Sequence, residues 1–290
     1  MTKTSDGQDR APLSRRRVLA ASAAGLCSAA GLAVLGSHLL RSEPAPATPR
    51  SPLPTPSSTA LVQSVTSQVL ASAARGRDVE LIVMRPESVP GPLPVCLALH
   101  GRGSSARMFV DLGIPAMLTR AVAAGVPAFA VAAVDGDNYW VPADPADDPR
   151  RMLNDEVPAW LEGQGLRPVP VAAMGISMGA YGALNYARAH PCAVAAISPA
   201  LFGSWSEARA RKVFADRAQW EATEPLRHTA DLTPARVGVW CGTADPFAAV
   251  ARELIAKVKP AEGMMGPGAH DEAYWMGVLP EVLRFVGSRV

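Results

Sequence analysis

Gly175-Ile176-Ser177-Met178-Gly179 reads G-x-S-x-G. A short apolar run over 169–174 precedes it, and a helix-forming stretch over 180–188 follows. A strand that turns sharply into a helix would hold Ser177 in a strained backbone with its hydroxyl exposed, and the flanking glycines leave room for that turn. The competing reading is a glycine-rich turn with an inert serine. A serine hydroxyl is a poor nucleophile until a base takes its proton, and an imidazole does so near neutral pH. Five histidines are present. His38 lies near the N-terminus, His100 in a loop after an apolar run, and His228 in a charged segment. His190 precedes Pro191 at the end of a predicted helix, where a C-terminal cap is its ordinary role. His270, in Gly266-Pro267-Gly268-Ala269-His270, follows the last predicted strand and is the expected base; its alternative is a surface loop position.

The base needs an orienting carboxylate. Asp245, in Cys241-Gly242-Thr243-Ala244-Asp245-Pro246-Phe247, stands at the exit of an apolar run. Its alternative role is a helix N-cap before Pro246, and one side chain is not expected to serve both. Charge developing on an attacked carbonyl needs preorganised donors. The backbone N–H of Met178 is one candidate. The loop His100-Gly101-Arg102-Gly103 offers the N–H of Arg102 as the second. His100 is expected to structure that loop and, with Gly101, to lie near the substrate. Tyr139, Trp140 and Trp275 are expected to wall the cleft, with core packing as their alternative and Tyr139 set among polar residues.

These residues need a scaffold that brings distant loops together. Apolar runs at 95–99, 127–134, 193–198 and 236–241 have the character of strands buried on both faces. Helical stretches are predicted over 61–74, 106–124, 150–163, 201–233, 247–258 and 272–287. An outer strand is expected at 79–84 and a short last strand at 261–265. Buried strands alternating with helices indicate a mostly parallel sheet covered on both faces. Chemistry in such sheets gathers at the carboxyl ends of the strands, and each candidate above follows a strand.

Leu99-His100-Gly101, the pentapeptide around Ser177, the segment 241–247 and Gly268-Ala269-His270-Asp271-Glu272-Ala273-Tyr274-Trp275 occur in this order. Together they resemble the putative-esterase group of the α/β-hydrolases, which includes esterase D and the antigen 85 mycolyltransferases. The resemblance covers about residues 76–290. It implies an α/β-hydrolase fold, a Ser–acid–His triad at Ser177, Asp245 and His270, an oxyanion hole at Met178 and Arg102, and a small-molecule ester as substrate. The oxyanion loop departs from that of the mycolyltransferases, which lack this histidine. The expected activity is hydrolysis through an acyl-serine. Acyl transfer to an alcohol or sugar is the alternative within enzymes, and a non-catalytic binding protein the alternative outside them.

The chain has 290 residues, of which 49% are hydrophobic, enough for one large α/β domain over 61–290. Residues 1–59 hold seven Lys/Arg and three Asp/Glu. The remainder holds 21 and 23, a net charge of −2, which argues against nucleic acid as a partner. Ser14-Arg15-Arg16-Arg17-Val18-Leu19 before an apolar run to Leu40 resembles a twin-arginine signal. It implies export from a bacterial cytoplasm by the Tat machinery; an uncleaved membrane anchor over 1–40 is the alternative. Residues 41–60, rich in Pro, Ser, Ala and Thr, read as a linker. Cys96, Cys192 and Cys241 fit no metal spacing and are expected as free buried thiols. Gly101-Arg102-Gly103-Ser104 lacks the lysine and spacing of a phosphate loop, so no cofactor is expected.

Overall fold

The computed structural model describes residues 64–142 and 144–290. The expected signal and linker, and residues 61–63 of the expected domain, lie outside them. Among the described residues no helix is long and apolar enough to cross a membrane.

The apolar runs form the parallel part of a sheet. In chain order, an antiparallel hairpin of β1 (Val65–Ser72) and β2 (Arg77–Met84) comes first. Then follow β3 (Val95–Leu99), β4 (Ala130–Val134), β5 (Ala172–Ile176), β6 (Ala193–Ile197), β7 (Val237–Gly242) and β8 (Glu262–Gly266). The spatial order is β1-β2-β4-β3-β5-β6-β7-β8, with β2 antiparallel to β4 and every later pair parallel. Successive side chains on a strand alternate between faces, and the cores divide accordingly. Leu97 and Leu99 pack with α4 (Val157–Gly163), α5 (Met178–Ala189) and α8 (Ala248–Val258) on one face. Cys96 and Ala98 pack with α1 (Met108–Asp111), α2 (Ile114–Ala123) and α9 (Glu272–Gly287) on the other. Among the remaining helices, α3 (Pro149–Arg151) leads through a π-turn into α4, while α6 (Trp205–Arg209) and α7 (Arg217–Thr223) lie between β6 and β7.

Several expectations are corrected. The segment from Val65 is a strand, not a helix. Its β-branched residues lie in a full ladder with β2, from Val65 opposite Met84 to Ser72 opposite Arg77, so pairing decides what local propensity does not. β2 is therefore covered rather than outermost. The helix expected over 106–124 is split at Gly113, whose left-handed backbone (φ 82°) ends α1 and opens α2. The strand before Ser177 starts at Ala172, and Val169 is exposed. The stretch 201–233 is two short helices and two 3-10 turns, pinned by Phe202, Phe214 and Trp220 in the core.

Candidate active site

β5 ends at Ile176 and α5 begins at Met178, so Ser177 occupies the whole turn. Its backbone lies at φ 57° and ψ −116°, a conformation a non-glycine residue adopts only when the surroundings enforce it. They do so tightly. A Cβ on Gly179 would sit 1.7 Å from the Leu99 carbonyl oxygen, and one on Gly175 would sit 2.1 Å from that of Gly179. The two glycines are what lets α5 start this close to β3 and β5.

Two loops bring the other groups to this turn. After β7, Asp245 is buried, and after β8 the loop to α9 carries His270. The Ala244 N–H donates to the Gly268 carbonyl at 2.9 Å, which fastens one loop to the other. His270 Nε2 lies 2.9 Å from Ser177 Oγ, and His270 Nδ1 lies 2.8 Å from Asp245 Oδ2. The second carboxylate oxygen accepts from the Phe247 N–H at 2.8 Å. One oxygen takes the imidazole and the other holds the turn ahead of α8, whose N-cap is Phe247 and carries no side-chain cap, so Asp245 is not the N-cap that was its alternative role. Burial alone would raise the Asp245 carboxyl. Hydrogen bonds from His270, from the Phe247 N–H and from Ser198 more than offset this and hold it below its ordinary value of 3.8.

The loop after β3 reaches the same place. Gly101 lies against the nucleophile turn, 3.5 Å from Ser177 Cβ measured from where its own Cβ would be. The backbone N–H groups of Arg102 and Met178 find no acceptor among the described residues, and Met178 heads α5, where helix N–H groups are left free. His100 is buried at 2% exposure and is structural. Its Nδ1–H donates to the Gly101 carbonyl at 2.8 Å, and its Nε2 accepts from the Gly136 N–H at 2.9 Å. That arrangement requires the neutral ring, and burial lowers its pKa in agreement. It structures the 100–103 loop, as the sequence suggested, by tying it to the 135–140 loop; both ring nitrogens are taken, which corrects the expectation that His100 meets the substrate.

Tyr139 and Trp140 are corrected to core residues. They are 2% and 1% exposed. Tyr139 packs on Tyr181, Phe202 and Phe214, and Trp140 lies over Gly182 and edge-on to His100. Three successive left-handed residues, Asn138, Tyr139 and Trp140, turn both rings inward. Trp275 stays at the site, half-buried, its ring edge-on to His270 at 5.4 Å. His190 caps α5, with Nδ1 2.9 Å from the Tyr186 carbonyl.

Three residues near the site escaped the sequence reading. Ser198 follows β6, is fully buried, and accepts from the Trp275 indole at 3.1 Å while helping to keep Asp245 ionised. The rule that chemistry gathers at strand ends could have found it. Phe247 packs tilted against His270 at 5.4 Å, and the Arg211 guanidinium lies over the Phe247 ring in turn. No sequence signal marks either. Among the described residues no group of three His, Cys, Asp or Glu side chains is placed to hold a metal ion.

A mostly parallel eight-stranded sheet with helices on both faces and a serine at the β5–α5 turn defines an α/β-hydrolase fold. The profile of the putative esterase family matches residues 72–286, and the chain belongs to that family; it is an enzyme of carboxylic ester hydrolysis. Solved structures share the fold at low identity. A ferulic acid esterase is 22% identical, covering 78% of this chain and 98% of that one, with a TM-score of 0.65. An S-formylglutathione hydrolase from Agrobacterium tumefaciens is 19% identical over 78% and 95%, with a TM-score of 0.63. MPT51 (FbpC1) of Mycobacterium tuberculosis is 19% identical over 79% and 100%, with a TM-score of 0.62. No curated protein matches by sequence.

Proposed function

We propose that the protein hydrolyses small carboxylic esters through an acyl-serine intermediate, with Ser177 as nucleophile, His270 as base and Asp245 as its orienting acid. The observation that carries this is the unbroken chain from Ser177 Oγ through the imidazole to the buried Asp245 carboxylate. In this reading His270 Nε2 takes the hydroxyl proton as Oγ attacks the ester carbonyl. The carbonyl oxygen becomes an oxyanion held by the N–H groups of Met178 and Arg102. The tetrahedral adduct collapses, the C–O bond to the alcohol breaks, and His270 returns the proton to that leaving oxygen. Water, deprotonated by the same imidazole, then attacks the acyl-serine and releases the acid and free Ser177. Asp245 stays ionised throughout and holds the Nδ1–H tautomer.

The test is labelling by a fluorophosphonate probe together with turnover of a p-nitrophenyl ester series of increasing acyl length. Wild type should be labelled and active. Ser177→Ala should lose the label and fall to the residual rate that binding and the oxyanion donors supply, roughly 10³–10⁴ over water. Near-normal turnover by folded Ser177→Ala would overturn the mechanism. Running the series with and without sugar acceptors reads acyl transfer against hydrolysis.

We also propose export by the twin-arginine route, a reading supported by Arg15-Arg16-Arg17 ahead of the apolar run to Leu40.

A further inference from the structure

Near His270 lies a guanidinium that no carboxylate pairs with among the described residues. The Arg211 guanidinium lies over the Phe247 ring at 5.4 Å and over the Phe202 ring at 5.5 Å. Phe247 itself packs against the His270 imidazole at 5.4 Å, the rings tilted by 55°. Arg211 is thus one aromatic ring away from the proposed base. It is half-buried, which limits its hydration, and among the described residues no Asp or Glu pairs with it. Arg102, on the loop beside Ser177, likewise has no carboxylate partner among them. Burial pushes the Tyr139 phenol up, and both Arg211 and Arg102 lie close enough to oppose that shift.

An arginine packed between two rings that stand nearly perpendicular, at 77°, gives up less freedom when it takes a carboxylate or phosphate than one free in solvent. An unpaired, partly desolvated guanidinium beside a reaction centre is costly unless an anion arrives to pair with it. The side on which that anion must sit follows from the proposed chemistry. His270 hands its proton to the leaving alcohol, so the groups packed around the imidazole line the alcohol half of the ester. Resting on the hydrolytic reading above, we propose that Arg211 is a specificity determinant that binds an anionic group carried on the alcohol portion of the substrate, with Arg102 adding to the field. The preferred substrates are then esters of hydroxy acids or of phosphorylated alcohols, not of neutral ones.

The test compares the butyrate esters of 4-hydroxybenzoate and 4-hydroxybenzamide, which differ in one charge at the same position, with the butyrate ester of 4-hydroxyphenyl phosphate as the phosphate arm. The quantity read is the ratio of kcat/KM, anionic over neutral. Wild type should favour the anionic esters, and 0.5 M NaCl should shrink the preference. Arg211→Gln should lower the ratio about tenfold, the scale of one charge-assisted contact. Arg211→Lys should keep part of it. If Arg211→Gln slows anionic and neutral esters by the same factor, Arg211 merely packs and the proposal is overturned. A ratio as low in Arg211→Lys as in Arg211→Gln would also overturn it. A failure of wild type to hydrolyse any of the esters, with no fluorophosphonate labelling, would remove the hydrolytic reading and this inference with it. Hydrolysis of all of them without charge preference would remove this inference alone.

Discussion

The indole N–H of Trp275 donates to the Ser198 hydroxyl at 3.1 Å, joining the first turn of α9 to the end of β6. Ser198 in turn stabilises the charged form of Asp245, and the Trp275 ring packs edge-on to His270. The side wall of the imidazole and the environment of its carboxylate are therefore set by one contact. His270 is held from three directions: by Asp245, by Phe247 and by Trp275.

Replacing Asp245 by Asn should lower kcat about 10⁴-fold at neutral pH while leaving the protein folded, because the amide cannot enforce the required tautomer. The wild-type carboxyl has a depressed pKa, so its contribution to stability is complete above the ordinary value of 3.8 and is lost as pH falls through its lower folded value. Acid unfolding followed by circular dichroism should show that extra loss in wild type and not in Asp245→Asn. A variant within tenfold of wild-type activity would contradict the assigned role.

Trp140 provides a check on the corrected core. Its fully buried ring fills the space above Gly182 and beside His100. Trp140→Ala should cost about 3–5 kcal/mol in urea unfolding, the range for deleting a large buried aromatic side chain. A loss under 1 kcal/mol would return Trp140 to the cleft surface.

Glu224 is fully buried, accepting from the N–H groups of Phe202 and Leu226 and from the Trp220 indole. Burial pushes its carboxyl up from 4.5 to about 7. The folded state therefore binds the proton more tightly than the unfolded chain, and stability should fall as pH rises from about 4.5 to about 7. Across that window the loss due to this group is roughly 3 kcal/mol. Unfolding free energies of wild type and Glu224→Gln at pH 5 and pH 8 measure it as the difference between their two slopes. Equal slopes would show that the three donors hold Glu224 ionised despite its burial.

The crossover from β6 to β7 is pinned by Phe202, Phe214 and Trp220, which leaves little chain for a moving lid. Rate against ester concentration should then saturate below the solubility limit. A jump in rate only when droplets form would mean that part of this segment opens.

Replacing Arg15, Arg16 and Arg17 by Lys should hold the protein in the cytoplasm of a bacterium with a working Tat system. Fractionation and immunoblotting read the result, and unchanged export would point to another route.

The residues of the Ser177–His270–Asp245 chain were legible because each follows an apolar run at a strand exit, and a parallel sheet sends all such exits to one edge. α9 was legible because its amphipathic period over 272–287 is carried by its own residues; the structure adds the cap, Asp271 accepting from the Tyr274 N–H. β1 was not, because its strand character comes from pairing with β2 more than from its own composition. Tyr139 was misplaced because its polar sequence neighbours hide the left-handed turn that drives the ring inward. Arg211 reaches His270 only through Phe247, 36 positions further along, and local pattern carries no trace of a contact of that kind.

The three described cysteines are free and buried. Cys96 belongs to the core on one face of the sheet and Cys192 to the core on the other, so a bond between them would have to pass through the sheet. Cys241 sits in a third, small cluster. Burial pushes the thiols of Cys192 and Cys241 up to about 12 and that of Cys96 higher still, which keeps all three protonated and poorly reactive. The described part of the protein is then the same covalent object in a reducing cytoplasm and in an oxidising exterior. None of these three thiols calls for a disulfide chaperone, and none is open to a passing oxidant. A chain that folds before it crosses a membrane can carry its finished active site with it unchanged.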